Sequence, residues 1–356
     1  MSQQADNFEA VVATADAKVA EFEDTRKGLV GRLQHALHQT PSLVPLIVLL
    51  FSIALFGIML GSKFFSPFAM TLILQQVQIV GVLAAAQTLV ILTAGIDLSV
   101  GAIAVLCTVV MGKLTFDLGI PPFLSVTIGL AVGTLIGAIS GFLVSRVKLP
   151  PFIVTLGMWQ IVLAVNYLFS KNETIRSQDI ETEASFLQFL GTKFQIAGAT
   201  FTLGVLLMIV LFIALAYALR STAWGRHVYA VGDDPEAAEL SGVDVHKTFM
   251  SVYMLAGFIC ALAGWVMIGR FGSISPSATT GVIGNIQAIT AVVIGGISLF
   301  GGRGSIAGAL FGALIVGVFE LGLRMAGADP QWTFLLIGVL IIAAVAVDQW
   351  IRKVSA

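Results

Sequence analysis

FAMTLILQQVQIVGVLAAAQTLVILTA, from Phe68 to Ala94, contains no charged residue, and after the short stretch GIDLSVG (Gly95 to Gly101) a further apolar run carries the chain to Leu114. Hydrocarbon offers no partner to a backbone N–H or C=O, so an uncharged run long enough to cross about 30 Å of it is expected to be helical. The apolar residues are continuous and do not alternate, which argues against a membrane β-barrel. Further stretches of the same kind lie near Leu43 to Leu60, Pro122 to Ser145, Pro151 to Ser170, Thr200 to Leu219, Phe249 to Gly269, Val282 to Leu299, Ser305 to Leu323 and Trp332 to Ile351. The expected fold is an all-α polytopic membrane bundle of about ten helices. The second and third runs are so close together that they are read either as two spans or as one broken or re-entrant element.

Composition agrees. The 356 residues are 57% hydrophobic and 11% charged, with a mean hydropathy of +0.97, whereas soluble domains carry about 25% charged residues. Such a chain cannot coat a water-soluble globule. Its 37 glycines suit helices that approach closely in lipid. A net charge of −1 provides no field to recruit nucleic acid. Cys107 and Cys260 sit within apolar runs and have no metal-site spacing, so both are read as packing residues.

Residues 1–42 precede the first apolar run and carry Asp6, Glu9, Asp16, Glu21, Glu23 and Asp24, with no basic region leading to a cleavage site. They are read as a retained cytosolic tail, in which Phe8 to Leu37 forms an amphipathic helix or stays partly disordered. Residues 43–356 form a single membrane domain. With both termini in the cytosol, the inner segments collect Lys18, Arg26, Lys27, Arg32, Arg146, Lys148, Arg220, Arg226, Lys247, Arg303, Arg352 and Lys353. The outer segments keep only Lys63, Lys113, Lys171, Arg176, Lys193, Arg270 and Arg324, the imbalance expected for cytoplasmic N- and C-termini. On that orientation residues 171–198 form a periplasmic loop and residues 220–248 a cytosolic one.

The cytosolic loop reads RHVYAVGDDPEAAELSGVDVHK from Arg226 to Lys247. Asp233 or Asp234 supplies a helix cap, Pro235 suits the first turn, Glu236 to Leu240 favour helix, and Gly242 ends it. A connector between two spans needs only a few residues, so a separate capped helix outside the membrane points to docking. The spacing of Glu236, Ala237, Ala238 and Gly242 resembles the EAA loop of ABC importer permeases, the coupling helix that sits in a cleft of the ATPase subunit. ILTAGIDLSVGAI (Ile91 to Ile103), YAVGDDPEAAELSGV (Tyr229 to Val243) and VIGGISLFGGRGSIAGALFGALIVG (Val293 to Gly317) are similar to the ribose, xylose, arabinose and galactoside class of sugar permeases. The likeness runs from about Pro45 to the C-terminus. It departs from the common pattern at Asp233–Asp234, where a Gly-Asn-like pair usually stands.

The resemblance implies a multi-pass permease of the bacterial inner membrane that works as a homodimer and imports a monosaccharide. It also implies two partners, an ABC ATPase subunit docked on Asp233, Asp234, Pro235, Glu236, Ala237, Ala238 and Gly242, and a periplasmic sugar-binding protein. The chain has no G-x-x-x-x-G-K-[ST] phosphate cradle. It is therefore read as a transport subunit, not an enzyme, with no metal or cofactor of its own and with ATP-Mg bound by the partner. Ribose, xylose, arabinose, galactose and fructose all remain open as cargo.

Asp97 is the lone carboxylate between Phe64 and Met111. It is read first as a cap accepting backbone N–H groups near Ser99 to Gly101, and second as a translocation contact. Gln76, Asn285 and Gln287 are candidate path residues, because neutral amides bind sugar hydroxyls without trapping an ion. Hydrogen bonding between helices is the plainer role for each. Glu320 and Arg324, one turn apart, are placed to pair. The rival reading is an ion-coupled secondary sugar transporter that uses Asp97; a passive pore is a third. GIDLSVG and GISLFGG (Gly296 to Gly302) share G-I-x-L-x-x-G, a faint internal echo.

Overall fold

The computed structural model describes residues 42–352; the tail assigned to 1–42 and its amphipathic stretch lie almost wholly outside them. Ten apolar helices follow the expected runs to within a few residues. They are α1 (Leu43–Leu60), α2 (Pro67–Leu92), α3 (Val100–Phe116), α4 (Pro122–Ser145), α5 (Pro151–Ser170), α7 (Leu203–Ser221), α10 (Val245–Phe271), α11 (Ala278–Ile294), α12 (Ile306–Met325) and α13 (Pro330–Arg352). Between them lie three helices outside the apolar set, α6 (Ser177–Glu183), α8 (Ala223–Asp233) and α9 (Pro235–Leu240). Among the described residues, seven helices are long and apolar enough to cross a membrane, while α3, α11 and the apolar part of α13 are shorter.

The starts of these helices are written in the sequence. Proline occupies the first turn of α2, α4 and α5, where its missing N–H costs nothing. Ser66, Thr202, Ser277 and Ser305 each accept a backbone N–H at the start of the following helix.

At the centre, α10 packs on α4, α2 and α3, while α12 packs on α2, α11 and α1. From Val80 to Leu92, α2 is buried on every side, so it is the axis of the bundle and not a surface span. Apolar residues point outward from the peripheral helices, as Ile58 on α1 at 85% exposure and Leu168 on α5 at 80% do, which is the arrangement lipid requires.

Glycine makes the α4–α10 contact possible. A Cβ at Gly137 would lie 2.1 Å from the Tyr253 carbonyl oxygen, and one at Gly257 would lie 2.2 Å from that of Gly133. Two backbones therefore touch where side chains would hold them apart.

The segment expected as a hydrophilic loop, 171–198, is folded. It contains α6, a 3-10 turn at Ser185–Gly191, and strand β1 (Lys193–Ile196), which pairs antiparallel with β2 (Ala199–Thr202). Ala197 and Gly198 both have positive φ, the geometry of a tight two-residue hairpin turn. Strands of four residues are too short for their alternation to stand out from sequence. This cap is tied to the bundle by Gln188 Nε2 donating to the Gly272 carbonyl at 2.8 Å and Trp265 Nε1 donating to that of Leu187 at 3.1 Å. Beside it, the buried Lys113 amine pairs with Asp117 at 2.9 Å and Glu173 at 2.6 Å.

Gly257→Val is expected to force α4 and α10 apart, at a cost of roughly 1–3 kcal/mol or more for overpacking. It should appear as a lower melting temperature in detergent, whereas Gly157→Val, where a Cβ meets nothing within 4 Å, should leave the melt unchanged.

Candidate functional site

The 220–248 segment folds as two helices, α8 and α9, between the spans α7 and α10. Thr222 Oγ1 accepts the Gly225 N–H at 3.2 Å to start α8. Trp224 Nε1 donates to Ser251 Oγ at 2.8 Å, fixing α8 to α10, and the Tyr229 hydroxyl donates to the Gly304 carbonyl at 3.0 Å. Burial holds the Tyr229 phenol above its ordinary range, so at neutral pH it remains a donor. No expectation from sequence included α8; its small apolar face is made of residues that also read as loop.

Asp233 ends α8, and Asp234 caps α9, accepting the N–H groups of Glu236 at 2.9 Å and Ala237 at 3.0 Å. Pro235 takes the first position. At the far end Gly242 adopts φ +85°; its N–H reaches the Glu239 carbonyl at 2.9 Å and that of Val243 reaches Ala238 at 3.0 Å. This pair of bonds closes a helix through a left-handed residue. Asp244 then caps α10: the Lys247 N–H, and after it the Lys247 ammonium at 2.9 Å, hold its carboxyl below the usual carboxylate range. Only Ala238 of α9 is buried. Glu236, Ala237 and Glu239 are exposed, and Leu240 stands 91% exposed on a helix outside the apolar set.

Next to α8 the second echo motif meets the end of α2. The Gly302 N–H donates to the Leu92 carbonyl at 3.0 Å, joining the α11–α12 connector to the end of α2. Gly232 of α8 fits against that junction, since a Cβ there would lie 1.8 Å from the Leu92 oxygen and 2.7 Å from the Gly302 nitrogen. A Cβ at Gly301 would in turn meet the Gly232 oxygen at 2.4 Å and Ala94 at 2.8 Å. The three stretches quoted for their family likeness thus converge on one knot of backbone, with α9 starting three residues after Gly232.

GIDLSVG is a buried break between α2 and α3. Asp97 Oδ1 accepts both the Ser99 N–H at 2.7 Å and the Ser99 hydroxyl at 2.6 Å, so the carboxylate fixes the turn that launches α3. The Gln87 amide, in the orientation that satisfies both its atoms, donates to the Asp97 carbonyl at 3.0 Å and accepts the Asp97 N–H at 3.2 Å. Thr155 Oγ1 donates to the Ile96 carbonyl at 2.9 Å, and Asn285 Nδ2 to that of Leu98 at 3.0 Å. Asp97 and Asn285 are therefore braces of the break.

Gln76 and Gln287 stand elsewhere. Together they line a cavity of about 200 Å³ with Gly101, Met267, Phe271 and Thr280 among its walls. The four candidate path residues thus divide into two pairs, one holding backbone and one facing space. Gln87 is one of several amides in α2, and its place opposite the helix break is what distinguishes it.

Asp97→Asn retains an acceptor for Ser99 and is expected to hold its melting behaviour within roughly 1 kcal/mol, whereas Asp97→Leu leaves buried donors unpaired at a cost of about 1–3 kcal/mol. A large loss in the asparagine variant would show that the negative charge itself is required.

Residues 69–345 match the family model described as the branched-chain amino acid transport system / permease component. The chain is 65% identical over 355 residues to the fructose import permease protein FrcC of Rhizobium meliloti, a match covering 100% of this chain and 98% of that one. It is 34% identical over 314 residues to the ribose import permease protein RbsC of Escherichia coli K12, covering 88% of this chain and 94% of the relative. With the D-allose transport system permease protein AlsC of the same strain, identity is 34% over 309 residues, covering 86% and 91%. The Rhizobium relative also spans the acidic tail, which the motif likeness left out. No solved structure matches the chain.

Proposed function

Because this chain belongs to the branched-chain amino acid transport system / permease component family, we propose that it is the membrane subunit of an ATP-driven importer that carries a monosaccharide across the bacterial inner membrane. Fructose is the favoured cargo, since the 65% likeness to a fructose import permease runs through the whole chain while the ribose and allose permeases stand at 34%. Two copies enclose the path, a binding protein delivers sugar at the end that carries the hairpin, and an ATPase docks on α9 in the cytosol.

The observation that carries this reading is α9. It is capped at both ends by its own residues, seated through Ala238, and otherwise turned outward with Leu240 bare. A bare leucine beside two glutamates is the kind of apolar anchor with a charged rim that a protein partner buries. Nothing in the membrane domain requires that exposure. When ATP closes its partner, α9 moves, and the Gly232 knot transmits the movement to the ends of α2 and α12, a rigid-body change driven by differential affinity for two states. An ion-coupled mechanism finds less support, because Asp97 is engaged with Ser99 and serves the turn.

In proteoliposomes holding the permease with its ATPase and binding protein, fructose uptake is expected to require ATP and to survive collapse of the ion gradients; dependence on a proton or sodium gradient would overturn the proposal. Leu240→Asp and Glu236→Arg are expected to leave the permease folded and inserted while lowering ATP-driven uptake by about tenfold or more, the loss of one interface anchor. Gly242→Glu is a poorer probe, because its φ of +85° strains any side chain.

A further inference from the structure

Glu320 lies on α12, five residues before that helix ends, and its side chain is 21% exposed. Gln287 Nε2 donates to its Oε2 at 3.3 Å from α11, and Arg324 Nη2 to its Oε1 at 3.0 Å from one turn further along α12. Gln76, from α2, lines the same cavity as Gln287. Four polar side chains from three helices thus converge in the half of the bundle nearest the hairpin. They lie between two cavities of about 200 and 220 Å³ that share Gln287 and Ile283 as walls.

Such a cluster is costly against lipid tails, where a carboxylate and a guanidinium find no solvation. These four side chains do not brace a helix break, unlike Gln87 and Asn285, and α2, α11 and α12 are intact where they stand. What the set matches is a polyol. A carboxylate accepts from hydroxyls, amides and a guanidinium donate to them, and a neighbouring positive charge keeps the site from trapping a cation. We propose that Glu320, with Gln76, Gln287 and Arg324, forms a transient sugar-hydroxyl subsite of the translocation path, with Glu320 as its principal acceptor and a determinant of which sugar passes. The subsite rests on the importer reading and specifies where in the chain that reading places its cargo.

Two measurements test it. Both native cysteines are buried, so a new thiol on this face reports alone. Ile283→Cys is expected to react with a charged, water-soluble methanethiosulfonate reagent, and excess fructose should slow that reaction. Ile161→Cys, on the exposed apolar face of α5, should stay unlabelled. Failure of Ile283→Cys to react in the nucleotide-free, ATP-bound and vanadate-trapped complexes would place lipid over the cluster and overturn the subsite.

In the complete reconstituted importer, Glu320→Gln is expected to lower the maximal fructose uptake rate by about tenfold, as for loss of one charge-assisted hydrogen bond, and to change the ratio of fructose to ribose uptake. ATPase stimulation by the loaded binding protein should remain, which a merely misfolded permease would not permit. Gln287→Leu should shift the same ratio in the same sense, and it provides the reading if the Glu320 variant does not assemble. If the unaltered complex imports no sugar with ATP, the importer reading itself fails; if it does import and both variants keep its rate and ratio, the subsite alone fails.

Discussion

The buried break between α2 and α3 sets the terms for the rest of the molecule. Where a helix stops inside a bundle, its last carbonyls lose their partners and no water replaces them, so each must find a donor from elsewhere in the protein. Here four successive needs are met from four different places. Leu92 receives the Gly302 N–H, Ile96 the Thr155 hydroxyl, Asp97 the Gln87 amide and Leu98 the Asn285 amide. The α11–α12 connector, α5, α2 and α11 are thereby held around a turn of seven residues. A break that looks like a weak point in the primary structure becomes the site where most of the bundle is cross-tied.

The same constraint explains the glycines at the knot beside α8. A backbone N–H can reach a carbonyl on another element only if nothing stands between the two chains, and Gly232, Gly301 and Gly302 remove what would stand there. The consequence is stiffness. Backbone packed on backbone has no side chain to yield, so a displacement of α8 is passed to α2 and to the start of α12 without slack. On the proposed coupling reading, a helix such as α9, next to this knot and secured by its own caps, is a lever arm on a rigid fulcrum.

How much of this was legible in the sequence depends on the scale of the pattern. Ten helices could be placed to within a few residues because each is a long apolar run, most of them bounded by proline, glycine or a short capping side chain such as Ser66, Thr202 or Asp244. The cap on α9 was legible down to a choice between Asp233 and Asp234, and the backbone decides for Asp234 because α8 claims Asp233 as its last residue. Two things could not be read. The hairpin at 193–202 and helix α8 are built from short segments whose composition also fits loop. The knot joins residues more than two hundred positions apart, and a shared G-I-x-L-x-x-G says nothing about contact.

The polar residues of the spans teach the finer lesson. Gln76, Gln87, Asn285 and Gln287 are the same chemistry in similar apolar settings, and composition gives no reason to separate them. What separates them is whether a backbone group nearby lacks a partner. Gln87 and Asn285 stand opposite the break, and their amides are consumed by it. Gln76 and Gln287 stand on uninterrupted helices whose backbone is already satisfied, so their hydrogen-bonding capacity is left for something that is not backbone. An amide with no carbonyl to serve would be a needless cost on a lipid-facing wall. Gln287 serves the Glu320 carboxylate instead of a backbone group, at the rim of a cavity it shares with Gln76, and on the proposed importer reading this unbraced pair, and not the more deeply buried Asp97, lies along the way through.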